Sequence, residues 1–535
     1  MNPRAAFASW RLASRVFLFL WAVLSFAGCA SLPKRTAEES VRSVPDTSST
    51  SWARALGPLE AEHPNQSGIE LLKFAREALA ARMALADSAE ISLDVQYYIW
   101  QPDAAGRLLG ERLLCAADRG VHVRLLLDDV GVSASDTTLL ALDSHTNIEV
   151  RLFNPLAGRR FRTLSLLTDY ARANRRMHNK SFTADRLVTI AGGRNVADRY
   201  YGAGEEPHFA DFDVMAAGPV AREAAAMFDR FWWNSSSWRI SSLAKHPAPA
   251  GLLDKMRADL EVQIKAITNS PDFCDLAKCE AVMQVGEHRP ALIWGSTSLI
   301  YDLPEKITTD TEDATTHMMP KIRQEAEGTE REFLVVSPYF VPGKRGVEFF
   351  QKLRQRGVRV VVLANSLASN DVLPVHAGYR RYRKQLLRAG VELYELKPTA
   401  YVRASAADNK PRRKGKNIPG ASLHAKAFVF DRRTLFVGSL NLDPRSASLN
   451  TEMGLVMDIP NLAQSTAEAL DADLPEYTYR LQFVPGPGPC KECGSIVWIS
   501  QEDGKEVRYT NEPKTSFWRR LLVNLVSILP IESQL

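Results

Sequence analysis

The sequence predicts an α/β fold that occurs twice in one chain. A strand–helix–strand order at residues 91–155 returns at residues 331–398, and a short polar motif follows the third strand in each copy. Alternating β-branched residues indicate the strands, and apolar residues at helical spacing indicate the helices. We therefore expect largely parallel strands with helices on their faces, and a repeat this long indicates a duplicated domain.

The first copy begins with the β-rich segment 91–100. A helical pattern at 106–120 follows and ends at Gly120, and strands are predicted at 121–129 and 148–155. Glycine is typical of the position just after a helix, because it adopts the left-handed conformation without steric cost. The crossover through the helix places the next strand parallel to the first.

The second copy has the same order of elements. Its segments are 331–343 (strand), 347–357 (helix), 358–366 (strand), 378–390 (helix) and 391–398 (strand). Gly357 ends the first of these helices and occupies the place of Gly120 in the first copy.

The polar motif reads H-x-K, four residues, D, six residues, G-[GS]-x-N in both copies. Its members are His178, Lys180, Asp185, Gly192, Gly193 and Asn195 in the first copy, and His424, Lys426, Asp431, Gly438, Ser439 and Asn441 in the second. An isolated H-x-K is uninformative, but two copies with the same spacing, in matching places of a repeated fold, indicate a functional site.

These residue types suit a phosphodiester. Residues i and i+2 of a strand point to the same side, so H-x-K places an imidazole beside an ammonium. The lysines, with Asn195, Asn441 and Ser439 as donors, neutralise the non-bridging oxygens of the phosphate. One imidazole attacks phosphorus, and the other protonates the leaving alcohol and then deprotonates the incoming one. The expected intermediate is a phosphohistidine, with no metal and no cofactor.

A nucleophilic imidazole needs an acceptor for its second nitrogen. Downstream of the first motif we expect Asp211, with Asp213 as the alternative, and downstream of the second motif we expect Glu452. These acids could instead be solvated at strand ends. Asp185 and Asp431 complete the catalytic set, although their place near a turn favours a bond to a lysine or to backbone groups over proton transfer.

The first thirty residues have the layout of an export signal. A basic start precedes the apolar run 16–26, which is short for a membrane-spanning helix, and two small residues then precede Cys29. A cysteine directly after Ala-Gly resembles the lipobox of bacterial lipoproteins, which implies that Cys29 is lipidated, with a signal peptide over 1–28. Residues 29–67, rich in Ser, Thr and Pro, are then expected to be a flexible tether. A plain signal peptide or signal anchor is the alternative.

Two further features leave alternatives open. The close pairs Cys274/Cys279 and Cys490/Cys493 could form local disulfides in an oxidising compartment. Half of a zinc site at the second pair is disfavoured, because no second such pair and no histidine lie nearby. The basic segment 410–416 either attracts anionic head groups or is a solvated loop.

The C-terminal residues carry an apolar stripe at helical spacing that ends at Pro530. Its members are Trp518, Leu521, Leu522, Leu525, Val526 and Leu529. Such a stripe lies on a membrane surface or packs on the protein's own core, and we expect packing.

The paired motifs resemble those of the phospholipase D superfamily. The segments MHNKSFTAD, GGRNVADRYYG, SLHAKAFVFDRR, GSLNLDPRSASLNTEMG and LPIESQL are similar to bacterial cardiolipin synthases of the C type and their phospholipase D-like relatives, and the resemblance covers residues 68–535. It implies a duplicated phospholipase D fold of two pseudo-symmetric mixed sheets flanked by helices, with one active site at their interface. It also implies that His178 is the nucleophile and His424 the general acid and base.

The resemblance further implies that Lys180, Lys426, Asn195, Asn441 and Ser439 bind phosphate. The expected division of the chain is a signal peptide (1–28), a tether (29–67), a first half (68–245), a connecting segment (246–325), a second half (326–480) and a C-terminal tail with an amphipathic helix (481–535). Because Ala30 rather than aspartate follows Cys29, the resemblance favours the outer over the inner membrane for a lipid-anchored protein that faces the periplasm.

The implied reaction is phosphatidyl transfer between membrane phospholipids such as phosphatidylglycerol and phosphatidylethanolamine. A phospholipase D hydrolase shares the chemistry and differs in admitting water. A superfamily nuclease has only the basic segment in its favour, and two intact motifs disfavour a non-catalytic envelope lipoprotein.

A composition of 45% hydrophobic and 24% charged residues excludes a disordered chain, and a net charge of +5 over 535 residues does not indicate a nucleic-acid partner. A helper protein is left open.

Overall fold

The structure is a computed structural model that describes residues 32–33, 46–159, 162, 169–204, 206–244, 246–270, 272–273, 292–400, 420–486, 493–502 and 504–535. The predicted export signal, Cys29 and the tether up to residue 45, apart from residues 32–33, lie outside these residues. So do the pair Cys274/Cys279, Cys490 and the basic segment 410–416. Cys493 is disulfide-bonded.

The described residues form both helices and strands. The helices are α1 (Ser51–Glu62), α2 (Ala75–Ser88), α3 (Ala104–Asp118), α4 (Asp136–Asp143), α5 (Tyr170–Ala173), α6 (Pro219–Trp233), α7 (Ile240–Leu243), α8 (Leu252–Thr268), α9 (Met319–Gly328), α10 (Gly343–Gln355), α11 (Leu373–Arg380), α12 (Arg383–Arg388), α13 (Pro444–Ser448), α14 (Pro460–Tyr477) and α15 (Phe517–Val526).

The strands are β1 (Ser67–Leu72), β2 (Ser92–Tyr97), β3 (His122–Asp128), β4 (Ile148–Phe153), β5 (Ser181–Ala184), β6 (Val188–Gly192), β7 (His208–Ala210), β8 (Asp213–Ala217), β9 (Ser237–Arg239), β10 (Ile293–Tyr301), β11 (Glu332–Val336), β12 (Arg359–Asn365), β13 (Glu392–Leu396), β14 (Ala421–Leu423), β15 (Ala427–Phe430), β16 (Thr434–Gly438), β17 (Met453–Asp458), β18 (Thr478–Pro485), β19 (Gly494–Glu502) and β20 (Lys505–Tyr509).

The strand order confirms the duplication. The first copy runs β4-β3-β2-β5-β6-β8-β1 and the second runs β13-β12-β11-β15-β16-β17-β10, with the first three strands parallel and the rest antiparallel in each. The two copies meet where β1 pairs with β10 in antiparallel register, Ser67 opposite Gly295 and Ile69 opposite Ile293. The two predicted mixed sheets are therefore joined edge to edge.

Three predicted segment assignments differ from the structure. Helix α1 lies in the predicted tether, but Trp52 and Leu56 are buried in the core of the first copy, so residues 51–62 are not tether. Strand β10 lies in the predicted connecting segment, yet it occupies the place in the second copy that β1 has in the first. Strands β18, β19 and β20 of the predicted tail region extend the second sheet from β13.

The predicted helix ends are at the expected glycines. Gly120 follows α3 with φ of +97°, and Gly357 follows α10 with φ of +86°, a region that favours glycine. Each helix then leads directly into a parallel strand, β3 or β12, as a βαβ unit requires.

The hydrophobic core has three layers. One lies under α2, α3 and α4 on the outer face of the first copy, and its counterpart lies under α9, α10 and α11 on the second. The central layer combines both copies, with α6 and β8 from the first and α14 and β17 from the second. Burying this layer fixes the two motifs relative to each other, because the strands that carry them border it.

The C-terminal stripe does not pack as expected. In α15 only Val523 is buried, and most of the large apolar side chains of this region are exposed, so the expectation of packing is wrong for the greater part of the stripe. Among the described residues, no helix combines the length and the apolar character needed to cross a membrane.

Candidate active site

The two H-x-K segments lie just before equivalent strands. His178 and Lys180 precede β5, and His424 and Lys426 precede β15. All four side chains are buried, and both imidazoles line one cavity of about 950 Å³ between the two copies. The sequence thus folds so that both predicted histidines are brought to a single site.

Each imidazole is held by a carboxylate from the other copy. His178 Nδ1 lies 2.8 Å from Glu452 Oε2, and His424 Nδ1 lies 2.6 Å from Asp211 Oδ2. Because a carboxylate accepts hydrogen bonds, Nδ1 carries the proton and Nε2 keeps its lone pair. The sequence places each acid downstream of its own motif, and the structure exchanges the two between the copies.

Asp213, the alternative acceptor, has another role. Its carboxylate is fully buried and pairs with Arg82 at 2.8 Å and with Arg194 at 3.3 Å. It therefore neutralises two buried guanidiniums beneath the sheet, and Asp211 is the acid that contacts a histidine.

Backbone bonds across the interface place the histidines. The N–H of His178 donates to the carbonyl of Thr451 at 2.9 Å, and the N–H of His424 donates to the carbonyl of Ala210 at 2.8 Å. The short strands β7 and β14, one from each copy, pair in parallel beside His424. Each histidine is thus anchored by main chain of the opposite copy as well as by its carboxylate.

The electrostatics of the site follow from burial. Burial, with the ammoniums of Lys180 and Lys426, holds the pKa of both imidazoles well below the ordinary value. Burial also lowers the pKa of Lys180 to about 7 and that of Lys426 to about 8, and raises the pKa of Glu452 to about 7. Neutral imidazoles beside cationic lysines are suited to attack an anionic phosphate.

The motif aspartates are not in the site. Asp185 accepts the backbone N–H groups of Glu90, Ile91 and Ser92, and Asp431 accepts those of Glu330, Arg331 and Glu332, all within 3.0 Å. Neither carboxylate lines the cavity. The expected bonds to backbone groups are therefore present, and the structure does not support including the two aspartates in the catalytic set. They hold the turn after the motif strand against the start of β2 or β11.

The predicted phosphate donors divide into two groups. Asn195 and Asn441 line the cavity, and the buried side-chain oxygen of Asn441 has no partner among the described residues. Lys180 and Lys426 do not line it, and each ammonium donates to the carbonyl of its own motif histidine. Ser439 does not line it, because its hydroxyl donates to Glu452 and accepts the N–H of Met453 at 3.0 Å. Ser439 positions Glu452, and the structure shows no free hydroxyl there for phosphate.

The difference between Gly193 and Ser439 has a steric cause. A Cβ at Gly193 would lie 2.2 Å from Asp211 Oδ1. In the second copy the equivalent acid is Glu452, and its carboxylate accepts from the hydroxyls of Ser439 and Ser446. The first motif therefore needs glycine at position 193, because a Cβ there would occupy the space of the Asp211 carboxylate that binds His424.

Sequence reasoning missed two arginines in the cavity wall. Arg199 follows Asn195 by four residues, and Arg445 follows Asn441 by four. This equal spacing is the signal that could have found them. The guanidinium of Arg199 lies 4.0 Å from the ring centre of Phe209, while Arg445 donates to Asn174 Oδ1 at 2.6 Å.

Aromatic rings surround the imidazoles. Tyr98 meets His178 edge-on at 5.1 Å between ring centres, and Tyr200 meets His424 in the same way at 5.0 Å. Such walls keep the site partly dry and strengthen every charge interaction within it. Among the described residues, no group of three or more His, Cys, Asp or Glu side chains is arranged to hold a metal ion.

The duplicated fold and the paired motif at one interface define a protein of the phospholipase D class. The family described as "Cardiolipin synthase, PLD-like domain" matches residues 83–232 and 322–474. The chain belongs to this family.

Its relatives agree with this placement. The chain is 44% identical over 485 residues to cardiolipin synthase C of Escherichia coli, covering 90% of this chain and 98% of that protein. It is 30% identical over 524 residues to an uncharacterized protein of Helicobacter pylori, covering 96% and 99%. The crystal structure of phosphatidylserine synthase from Haemophilus influenzae superposes with a TM-score of 0.52 at 15% identity, over 80% of this chain and 91% of that one, which supports the fold.

Replacing Gly193 with alanine tests the steric argument. The added Cβ displaces the Asp211 carboxylate, and a misplaced orienting group costs about 100-fold in kcat/KM. Gly110→Ala in α3 is the matched control, because a Cβ there meets nothing within 4 Å. Steady-state kinetics measure both variants, and an unchanged kcat/KM for Gly193→Ala contradicts the argument.

The pKa values predict a bell-shaped dependence of kcat/KM on pH. As pH falls below about 7, Glu452 gains a proton and His178 loses its acceptor. As pH rises, Lys180 loses its positive charge through about pH 7 and Lys426 through about pH 8, and with them the charge that is predicted to neutralise phosphate. Initial rates between roughly pH 6 and pH 10 measure this, and a flat profile over that range contradicts it.

Proposed function

We propose that the protein transfers a phosphatidyl group from one phospholipid to the alcohol of another and so forms cardiolipin. The observation that carries the proposal is the pair of buried imidazoles in one cavity, each held by a carboxylate of the other copy. The family and the 44% identity to cardiolipin synthase C support it.

In the first step we assign His178 as the nucleophile. Its Nε2 lone pair forms a bond to phosphorus while the bond from phosphorus to the head-group alcohol oxygen breaks. The bound phosphodiester brings a negative charge beside His424, which raises the pKa of that imidazole and lets it carry the proton that the leaving alkoxide needs. Lys180 and Lys426 balance the charge that builds on the phosphoryl oxygens.

In the second step the leaving alcohol is replaced by the acceptor. The hydroxyl of the acceptor lipid gives its proton to His424 Nε2 and bonds to phosphorus, and the bond from phosphorus to His178 breaks. The atoms balance, with one lipid alcohol released and one taken up. Glu452 stabilises the positive charge on His178 while the phosphohistidine exists.

The cavity wall supports a lipid substrate. Apolar groups such as Val375, Pro374 and Phe209 share it with Arg199 and Arg445. Two cations on either side of a partly apolar cavity suit the phosphates of a donor and an acceptor phospholipid.

The test is expression of the chain in a cardiolipin-deficient bacterium, with membrane lipids measured by mass spectrometry. We expect cardiolipin to be restored, and His178→Ala and His424→Ala to abolish it, a loss of at least about 1,000-fold. His246→Ala is the matched control, because His246 is exposed and outside the cavity.

The same experiment separates the alternatives. Phosphatidic acid without cardiolipin indicates hydrolysis, and an unchanged lipid profile contradicts both reactions. A denaturing detergent quench at alkaline pH, which preserves the P–N bond, should leave label from a phosphorus-labelled donor lipid on the purified wild-type chain and none on His178→Ala. Label retained on that variant contradicts the assignment of the nucleophile.

We further propose that Cys29 is acylated and that the protein is anchored in the cell envelope, facing the periplasm, at the outer membrane. The basic start, the apolar run 16–26 and the small residues before Cys29 support this.

Labelling cells with radioactive palmitate tests the anchor. We expect label on the wild-type chain and its complete loss in Cys29→Ser, with Cys115→Ser as the control that keeps it, because Cys115 lies in α3. Label that survives Cys29→Ser contradicts the anchor.

A further inference from the structure

One face of α15 is apolar and uncovered. Trp518 is 73% exposed, Leu522 51% and Leu525 55%, and Ile528 just beyond the helix is 78% exposed. At 100° per residue, the exposed apolar positions 517, 518, 521, 522 and 525 fall within an arc of about 140°. Contiguous apolar side chains that are exposed to this extent mark an interaction surface.

The charged residues within this segment have one sign. Between residues 513 and 531 the cations are Lys514, Arg519 and Arg520, and no acidic residue occurs. An apolar face bordered by cations complements a surface that is apolar below and anionic above, as a bilayer of acidic phospholipids is. A second copy of the same face would bring like charges together.

The opposite side of α15 is firmly attached. Val523 is fully buried against Leu367 and Ala377. Arg519 donates to the carbonyls of Leu367 at 3.1 Å and Asn370 at 2.8 Å, and Arg381 donates to that of Leu529 at 2.8 Å. The helix is therefore a fixed part of the second copy.

The segments that hold α15 also form part of the wall of the active-site cavity. Helix α11, which carries Ala377, also contributes Pro374 and Val375 to the cavity wall. The residues after α15 return to the same wall, where Gln534 and Leu535 line the cavity and Gln534 accepts from Asn174 at 2.6 Å. The exposed apolar face and the cavity thus belong to one rigid unit.

We propose that α15 and residues 527–530 dock on the surface of an anionic phospholipid bilayer and hold the cavity next to the lipids it uses. Docking rests on the proposed function only for the identity of those lipids. The aromatic and leucine side chains enter the boundary between head groups and acyl chains, while the exposed Lys514 contacts the phosphates. The cavity then receives donor and acceptor lipids from one membrane.

The first test separates docking from catalysis. The full chain carrying Cys29→Ser, with and without Leu522→Glu and Leu525→Glu, acts on phosphatidylglycerol vesicles and on a short-chain phosphatidylglycerol kept monomeric. We expect the double substitution to lower the vesicle rate by at least about tenfold and the monomer rate by less than about twofold. Val262→Glu is the matched control, because Val262 is 70% exposed on α8, away from this face.

The second test measures whether Trp518 lies within the bilayer. Vesicles of brominated phosphatidylglycerol should quench tryptophan fluorescence of the wild-type chain, and Trp518→Phe should remove the greater part of that quenching. Quenching that is unchanged in Trp518→Phe, or a vesicle rate unaffected by the double substitution, overturns docking.

The remaining outcomes are also decisive. If the wild-type chain converts neither substrate, the proposed function fails, while quenching through Trp518 still supports docking. If sedimentation shows a dimer that the double substitution separates, and Trp518 is not quenched by vesicles, the face is a contact between copies and docking is overturned.

Discussion

The exchange of carboxylates between the two copies is the constraint on which the site depends. His178 is oriented by Glu452 and His424 by Asp211, so neither copy alone holds a complete catalytic histidine. Burying these groups costs free energy unless they are paired. The pairing of β1 with β10 and the shared central core supply the rigidity that keeps acid and imidazole within hydrogen-bond distance across the interface.

The motif serves folding and chemistry with different residues. Asp185 and Asp431 adopt φ of +48° and +52° and bind three successive backbone N–H groups each, so they fix the turn that ends the motif strand. A residue other than glycine keeps this left-handed backbone conformation where local hydrogen bonds compensate for the strain. The spacing within the motif is thus set by the hairpin β5–β6 or β15–β16, and the histidine and lysine occupy its entrance.

The sequence predicted what is local and repeated, and missed what depends on the interface. The βαβ order, the glycines after α3 and α10 and the convergence of the two histidines follow from periodicity and spacing. The exchange of Asp211 and Glu452 does not, because two copies with the same spacing fit either pairing. Helix α1 was not predicted, because it presents only two buried side chains. The exposure of α15 was not predicted either, because an apolar stripe has the same sequence pattern whether or not another element covers it.

The two copies are symmetric in fold and asymmetric in the surroundings of their imidazoles, and this asymmetry allows one reaction to use two histidines differently. Glu452 accepts from His178 and from two serine hydroxyls, whereas Asp211 accepts from His424 and from the backbone N–H of Phe212 and lies against Gly193. A carboxylate shared among three donors is fixed in place and suits an imidazole that must hold a covalent phosphoryl group. A carboxylate that binds no other side-chain hydroxyl suits an imidazole that, in the proposed reaction, gives a proton to the leaving alcohol and takes one from the incoming alcohol. The difference between Ser439 and Gly193 at this position of the motif therefore gives the two imidazoles different surroundings, in agreement with the different roles proposed for them.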